Sequence, residues 1–338
     1  MTEPSNPAVA GAPADHGHYI RPDVQALVTM LAGMPGPKLH EIGHVAARAQ
    51  YVAMKGMVDP PIGELAEQRD LTIPGPAGAI PARLFDAKAA RAPGPAVVFF
   101  HGGGYTIGDL DTHASFCAEL ARGLDLPVIA VDYRLAPEAK WPAAPDDAEA
   151  AARWVAGNPA ELGRGVTGLI LCGDSAGGNL TIVTAMALRD RPASVPVVAQ
   201  IPIYPQTDTT RMYDSYDLFA DHGYILTRDS MTWFAQSYGA DTSHVRSSPL
   251  TGDLAGLPPA LVVTASLDPI RDQGRAYAAA LATAGVPVVF REMVGTIHGF
   301  ITLRLAMPSA QGDVAQIIAL ARPIIAAAEA DRVMAQAA

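Results

Sequence analysis

Residues 169–180 read LILCGDSAGGNL. Leu169, Ile170, Leu171 and Cys172 form an apolar run with the length and character of a buried strand, and a helix-like stretch follows from Ala176. Between them, Gly173 and Gly177 stand two residues either side of Ser175. Glycines at those places permit a turn too sharp and too crowded for side chains, which lifts the serine hydroxyl clear of the backbone. G-x-S-x-G between strand and helix is the sequence form of a nucleophile elbow. The pentapeptide alone is weak, since composition yields roughly 0.1 matches by chance in a chain this long. A plain strand-to-helix corner is the competing reading, so the serine needs partners.

One partner lies upstream, in FFHGGGYTIGD at 99–109. Three successive glycines after an apolar strand leave backbone N–H groups uncovered where a developing oxyanion can be held. H-G-G-G is expected by chance only roughly 0.007 times. A phosphate-cradling loop is the alternative, but no Lys-Ser/Thr follows and no G-x-G-x-x-G is present. His101, at the strand end, is read as a residue that fixes the loop's shape and not as a base.

A serine hydroxyl needs a base within hydrogen-bond reach, itself oriented by a carboxylate. Of nine histidines, His298 in MVGTIHGF follows the last apolar strand and is flanked by Gly295 and Gly299. The others fall in the N-terminal region (His16, His18, His40, His44), beside the glycine loop (His101), at a helix start (His113), or in an insertion (His222, His244). The carboxylate is expected at the end of the preceding strand, where TASLDPIRD offers Asp268 and Asp272. Asp268 lies directly off the strand, and Asp272 suits the first turn of the next helix. The chain order Ser175, Asp268, His298 is that of α/β-hydrolases, not of chymotrypsin or subtilisin.

Around these motifs, short apolar strands alternate with helices. Strands are predicted at 67–73, 79–86, 96–101, 127–133, 169–173, 195–204, 260–266 and 287–294. Helices are expected near 22–57 (broken at Pro35-Gly36-Pro37), 112–123, 144–156, 175–189, 272–284 and 313–335, with residues 1–18 frayed. Fully apolar strands between helices mean a mostly parallel sheet covered on both faces, an α/β architecture. Residues 206–247, rich in Tyr, Phe, Trp and Met, are too long for an ordinary connection. They are read as a cap over the site, packed with the N-terminal helices. The resulting division is 1–55 and 206–247 for the cap, 56–205 and 248–338 for the catalytic body.

Composition narrows the partners. The chain has 338 residues, 24 basic against 34 acidic side chains and a formal charge of −10. With no basic block, nucleic acid and anionic membrane surfaces are not expected partners. The first twenty residues show neither a basic start nor an apolar run, and no transmembrane segment is expected. Cys117 and Cys172, in no C-x-x-C pair, fit a reduced cytoplasmic setting without disulfides.

Taken together, HGGGY, VDYRLAPEAKWPAAPDDA, GDSAGGN, DPIRD and IHGF resemble the bacterial hormone-sensitive lipase-like esterases (family IV, GDSAG branch) of the α/β-hydrolases, over about residues 70–300. The resemblance implies an eight-stranded, mostly parallel sheet with a mainly helical cap, and a serine carboxylesterase acting on short- to medium-chain acyl esters. It makes Ser175 the nucleophile, His298 the general base and acid, and Asp268 its carboxylate partner. It puts the oxyanion donors at the N–H groups of Gly103, Gly104 and Ala176, with His101, Glu138 and Asp174 bracing them. No metal or other cofactor is implied. A homodimer through the edge strand 287–294 is implied, and Thr296 stands where the family often has Met. Candidate substrate contacts are Tyr105, His222, Tyr224, Phe234 and Ile297, although the aromatics among them read equally as the cap's own core. An amidase or deacetylase with the same triad, a true lipase, and a non-catalytic receptor on this scaffold are the rival readings. A neutral His298 is required, so activity is expected to rise with pH through the neutral range.

Overall fold

The computed structural model describes residues 17–337. The expected frayed segment therefore lies outside the described residues except for Gly17 and His18. Eight strands form one sheet in the order β1-β2-β4-β3-β5-β6-β7-β8. They are β1 Glu67–Gly75, β2 Gly78–Asp86, β3 Gly94–Phe100, β4 Val128–Val131, β5 Val166–Asp174, β6 Val197–Ile203, β7 Ala260–Leu267 and β8 Val288–Ile297. β1 and β2 form an antiparallel hairpin, β2 joins β4 antiparallel, and every other pairing is parallel.

The apolar strands alternate their side chains between two packed layers, as the two-residue period of a strand requires. Val97 and Phe99 of β3 face one cluster, shared with α1 (Pro22–Gly33), α3 (Ala114–Leu124) and α9 (Ser309–Ala337). Ala96, Val98 and Phe100 face the other, shared with α4 (Ala143–Ala156), α5 (Ala176–Asp190) and α8 (Arg271–Thr283). Among the described residues no helix is long and apolar enough to cross a membrane. Val289, Phe290 and Val294 on the outer strand β8 are exposed.

The order β4-β3-β5 reverses direction at β3, and a crevice opens at the carboxyl ends of β3 and β5. The glycine loop leaves β3 there, and the elbow leaves β5. Of the stretches expected to form a cap, α2 (His44–Val58) lies against the glycine loop. The insertion supplies α6 (Asp214–Phe219) and α7 (Arg228–Tyr238), and α7 also packs on the 3-10 turn Leu39–Glu41. α1 does something else. Val24, Leu27 and Val28 enter the same apolar cluster as α3 and α9, and Arg21 pairs with Asp313 of α9 at 2.6 Å, so this helix is anchored on the body.

A buried ion pair ties the start of the body to the segment after His298. Arg304 donates to Asp59 at 2.9 and 3.2 Å and to the Ser115 hydroxyl at 2.6 Å, with both charged side chains 1% exposed. Removing one partner of such a pair leaves a buried charge unmatched. Asp59→Ala is expected to lower unfolding stability by about 3–5 kcal/mol, read as a shift of the urea midpoint. A shift under a tenth of that size means the pair is solvated.

Candidate active site

Ser175 sits between β5 and α5 with φ +54° and ψ −116°, a left-handed backbone that a side chain rarely adopts. The turn is held by the Ser175 N–H, which donates to the Ile203 carbonyl at 2.9 Å. It is possible only because Gly177 has no side chain, since a Cβ there would overlap the Phe100 carbonyl oxygen at the end of β3.

The three residues singled out as a triad meet. The Ser175 hydroxyl lies 2.8 Å from His298 Nε2, and His298 Nδ1 lies 2.7 Å from Asp268 Oδ2. A carboxylate only accepts, so Nδ1 carries the proton and Nε2 is left to accept from Ser175. Asp268 is fully buried, and its other oxygen accepts the Ile270 N–H at 2.9 Å. Asp272 begins α8 and accepts the Ser215 N–H instead. The Tyr204 ring lies 4.6 Å from the His298 ring, and a T-shaped contact with Phe300 holds it there. Thr296 is buried with its hydroxyl unpartnered, a small side chain under the base's loop.

The glycine loop lies beside the elbow, bonded to it at Gly102. Among the described residues, the N–H groups of Gly103, Gly104 and Ala176 have no hydrogen-bond acceptor. For Ala176 this follows from its place as the first residue of α5, where N–H groups have no partner within the helix. Asp174 fastens the loop to the elbow. It accepts the Gly102 N–H at 2.7 Å, meets His113 Nε2 at 3.3 Å, and accepts the Tyr204 hydroxyl at 3.3 Å. Burial pushes the Asp174 carboxyl up, but the field and hydrogen bond of His113, the Gly102 N–H and His101 together hold it below the ordinary range.

His101 braces the loop. Its ring stacks on Tyr133 at 4.3 Å, and its Nδ1 lies 2.7 Å from the Gly102 carbonyl. Burial, then the neighbouring His113, pushes the His101 imidazole down to about 4, so it stands neutral at pH 7. Glu138 reaches the loop only through Arg48 of α2, which it grips at 2.7 and 2.8 Å. The Arg48 hydrogen bond holds the Glu138 carboxyl at about 2.

The residues expected to touch substrate divide. Phe234 of α7 covers Gly104, where a Cβ would run into its ring, so Phe234 walls the glycine loop at that residue. Tyr105 is 3% exposed and stacks on Tyr238 at 3.8 Å, which makes it a pin between loop and α7 and not an open wall. His222 and Tyr224 are half-buried and lie edge-to-face at 6.1 Å, and Tyr224 also packs on the main apolar cluster. Ile297 is a correction. It is wholly buried opposite Leu267 in the β7–β8 pairing and lines no open surface, because its side chain points into the sheet's core. Arg48, His113 and Tyr204, which the sequence did not single out for this site, touch its framework directly.

Comparison with known proteins follows the same lines. A family model described as alpha/beta hydrolase fold matches residues 97–302. The chain is 41% identical over 288 residues to the carboxylic ester hydrolase LipN of Mycobacterium tuberculosis, covering 82% of this chain and 75% of that protein. It is 34% identical over 312 residues to an ethyl acetate hydrolase of Pseudomonas putida, covering 88% and 97%. The solved hyperthermophilic esterase of Pyrobaculum calidifontis superposes with a TM-score of 0.84 at 36% identity, covering 90% of this chain and 99% of that one.

Two outcomes follow from the geometry. Asp268→Asn keeps the shape but allows the wrong His298 tautomer, so labelling of Ser175 by a fluorophosphonate is expected to slow by about 10³–10⁴. Equal labelling rates contradict the hydrogen-bond chain. His101 has a folded pKa below its unfolded value, so the unfolded chain takes up its proton first. The stability this residue contributes is whole above about 6.5 and is lost as pH falls to about 4, a loss of about 3 kcal/mol. His101→Gln is expected to flatten unfolding free energy against pH across that window, and an unchanged slope removes His101 as its cause.

Proposed function

The chain belongs to the alpha/beta hydrolases, in their hormone-sensitive lipase-like esterase branch, and is a carboxylic ester hydrolase; on that premise we propose that Ser175 carries the acyl group of a short- to medium-chain ester through an acyl-enzyme. The observation that carries the reading is the unbroken set of hydrogen bonds from Asp268 through His298 to Ser175, facing three N–H groups without acceptors.

The ester carbonyl oxygen enters toward Gly103, Gly104 and Ala176. Ser175 Oγ bonds to the carbonyl carbon while its proton passes to His298 Nε2, and the π electrons move to the oxygen. The three N–H groups stabilise that oxyanion, each worth about 3–4 kcal/mol by analogy with measured donors. Collapse expels the alkoxide, which leaves as alcohol with the proton from His298. Water then repeats the sequence with His298 as base, releasing the acid and restoring Ser175. Asp268 stabilises the imidazolium in both halves.

Phe234 seated on Gly104 narrows the site next to the donors, which supports short acyl groups. Similarity to an ethyl acetate hydrolase points the same way. Cytoplasmic action on a small soluble ester belongs to this proposal. An assembled triad is no requirement of a binding-only receptor, so its presence favours turnover.

Hydrolysis of a p-nitrophenyl series from acetate to palmitate by wild type and Ser175→Ala tests the reading. Turnover is expected to peak at short chains, with a loss on the order of 10⁵ in the variant. A peak at palmitate overturns the chain-length proposal. Wild type inert on all esters but active on p-nitroanilides makes the chain an amidase.

A further inference from the structure

The Gly103 carbonyl oxygen faces away from the site and accepts two backbone hydrogen bonds, from the N–H groups of Thr106 and Ile107, each at 3.0 Å. The peptide unit that carries this oxygen also carries the Gly104 N–H, pointing the opposite way, because a trans peptide sets C=O and N–H antiparallel. One step further back, the peptide between Thr106 and Ile107 gives its N–H to Gly103. On its own oxygen it receives the Arg48 Nε–H at 2.8 Å. Two peptides therefore lie in series between a guanidinium and the Gly104 N–H.

The second donor to Gly103 is secured by the same side chain. The Tyr105 carbonyl, in the peptide that carries the Thr106 N–H, accepts from the Ala136 N–H at 2.8 Å. The Ala136 carbonyl in turn accepts from Arg48 Nη2 at 2.8 Å. Arg48 is fixed from behind by Glu138, at 2.7 Å from Nη1 and 2.8 Å from Nη2. His44, one turn earlier on α2, reaches the same carboxylate at 3.2 Å. Thr106 adds a bond from its hydroxyl to the Gly104 carbonyl at 3.1 Å.

We propose that Arg48 is a positioning residue for the oxyanion hole: it aims and polarises the string of peptides that ends at the Gly104 N–H, so that the hole reaches its full strength with α2 docked. The proposal rests on the reading of Ser175 as the nucleophile. A cation at the oxygen end of hydrogen-bonded peptides draws electron density toward itself along the string, which leaves the terminal N–H a stronger donor, and bonds in such chains reinforce one another. Only Arg suits the place. Its rigid fork reaches the Thr106 and Ala136 carbonyls and the Glu138 carboxylate at once, whereas a lysine ammonium is a single point. The effect falls on the state that carries negative charge on the substrate oxygen, so it belongs in kcat more than in KM.

The test compares wild type, Arg48→Met and Arg48→Lys on p-nitrophenyl butyrate, with thermal unfolding measured for each. The inhibition constant of butylboronic acid, which forms a tetrahedral anion on the serine, is measured in parallel. For Arg48→Met, kcat is expected to fall about tenfold, less than the 10²–10³ for losing a donor outright. Boronate affinity falls by the same factor, and KM stays within about twofold. Arg48→Lys falls between the two proteins. Arg48→Ala, made alongside these, is expected to regain part of its rate from free guanidinium ion below concentrations that unfold the protein, and a rate that guanidinium leaves unchanged counts against the proposal. If kcat and boronate affinity match wild type, if only KM rises, or if kcat falls while boronate affinity holds, the proposal is overturned. Should Arg48→Met fail to fold, Arg48→Lys is judged on the same comparison. A wild type inert to both ester and boronate overturns the reading of Ser175 itself, and this proposal with it.

Discussion

The closest constraint in the molecule is between two backbones. β3 and β5 run parallel with Phe100 opposite Gly173, and the Phe100 carbonyl oxygen occupies the place where a side chain at 177 would begin. That approach brings the glycine loop leaving β3 within reach of the elbow leaving β5. It also forces Ser175 into its left-handed conformation, a strain of the order of 1–3 kcal/mol. The sheet sustains it because the strands on either side are buried on both faces and the Ser175 N–H is bonded to β6. The place of Ser175 beside the glycine loop is thus a consequence of sheet packing, and it shares the rigidity of the core.

A second layer is electrostatic, and Asp174 organises it. This buried carboxylate accepts from the loop at Gly102, meets His113 at the start of α3, and accepts from Tyr204, whose ring lies against the His298 imidazole. Loop, elbow and base are joined through one side chain that never needs to touch substrate. The arrangement leaves little room for error at Gly102, where a Cβ would overlap the Asp174 carboxylate. His101 contributes in the opposite sense, as a histidine held neutral by burial, so it adds no positive charge beside the loop.

What was legible in the sequence is what is local. Apolar strands of fixed length, a glycine–serine elbow, three glycines after β3 and a His between glycines after β8 each carry their structural reason within a few residues. The sheet, its two covered faces and the three residues that meet at Ser175 could be read from them. Side-chain partnerships across long stretches of chain had no such signature. Arg48 reaches Thr106 and Glu138 from a helix more than fifty residues away, and nothing in its neighbourhood distinguishes it from a solvated cation. Ile297 failed for a related reason. Its place next to His298 does not carry its side chain to the site, because the two-residue period of β8 turns it into the core. α1 shared a helical pattern with α2, and pattern alone does not say whether an apolar face lies on a cap or on a sheet.

Two helices outside the sheet reach the glycine loop. On one, α7 sets Phe234 over Gly104 and, one helical turn later, Tyr238 on Tyr105. On the other, α2 sets Arg48 on the Thr106 carbonyl and the segment at Ala136. The loop is therefore shaped by three separate parts of the chain, only one of which is the strand it leaves. Ser175, His298 and Asp268 meet on elements of the sheet and its loops alone, whereas the glycine loop is also held by α2 and α7. A change in α2 or α7 consequently reaches the glycine loop without touching Ser175, His298 or Asp268.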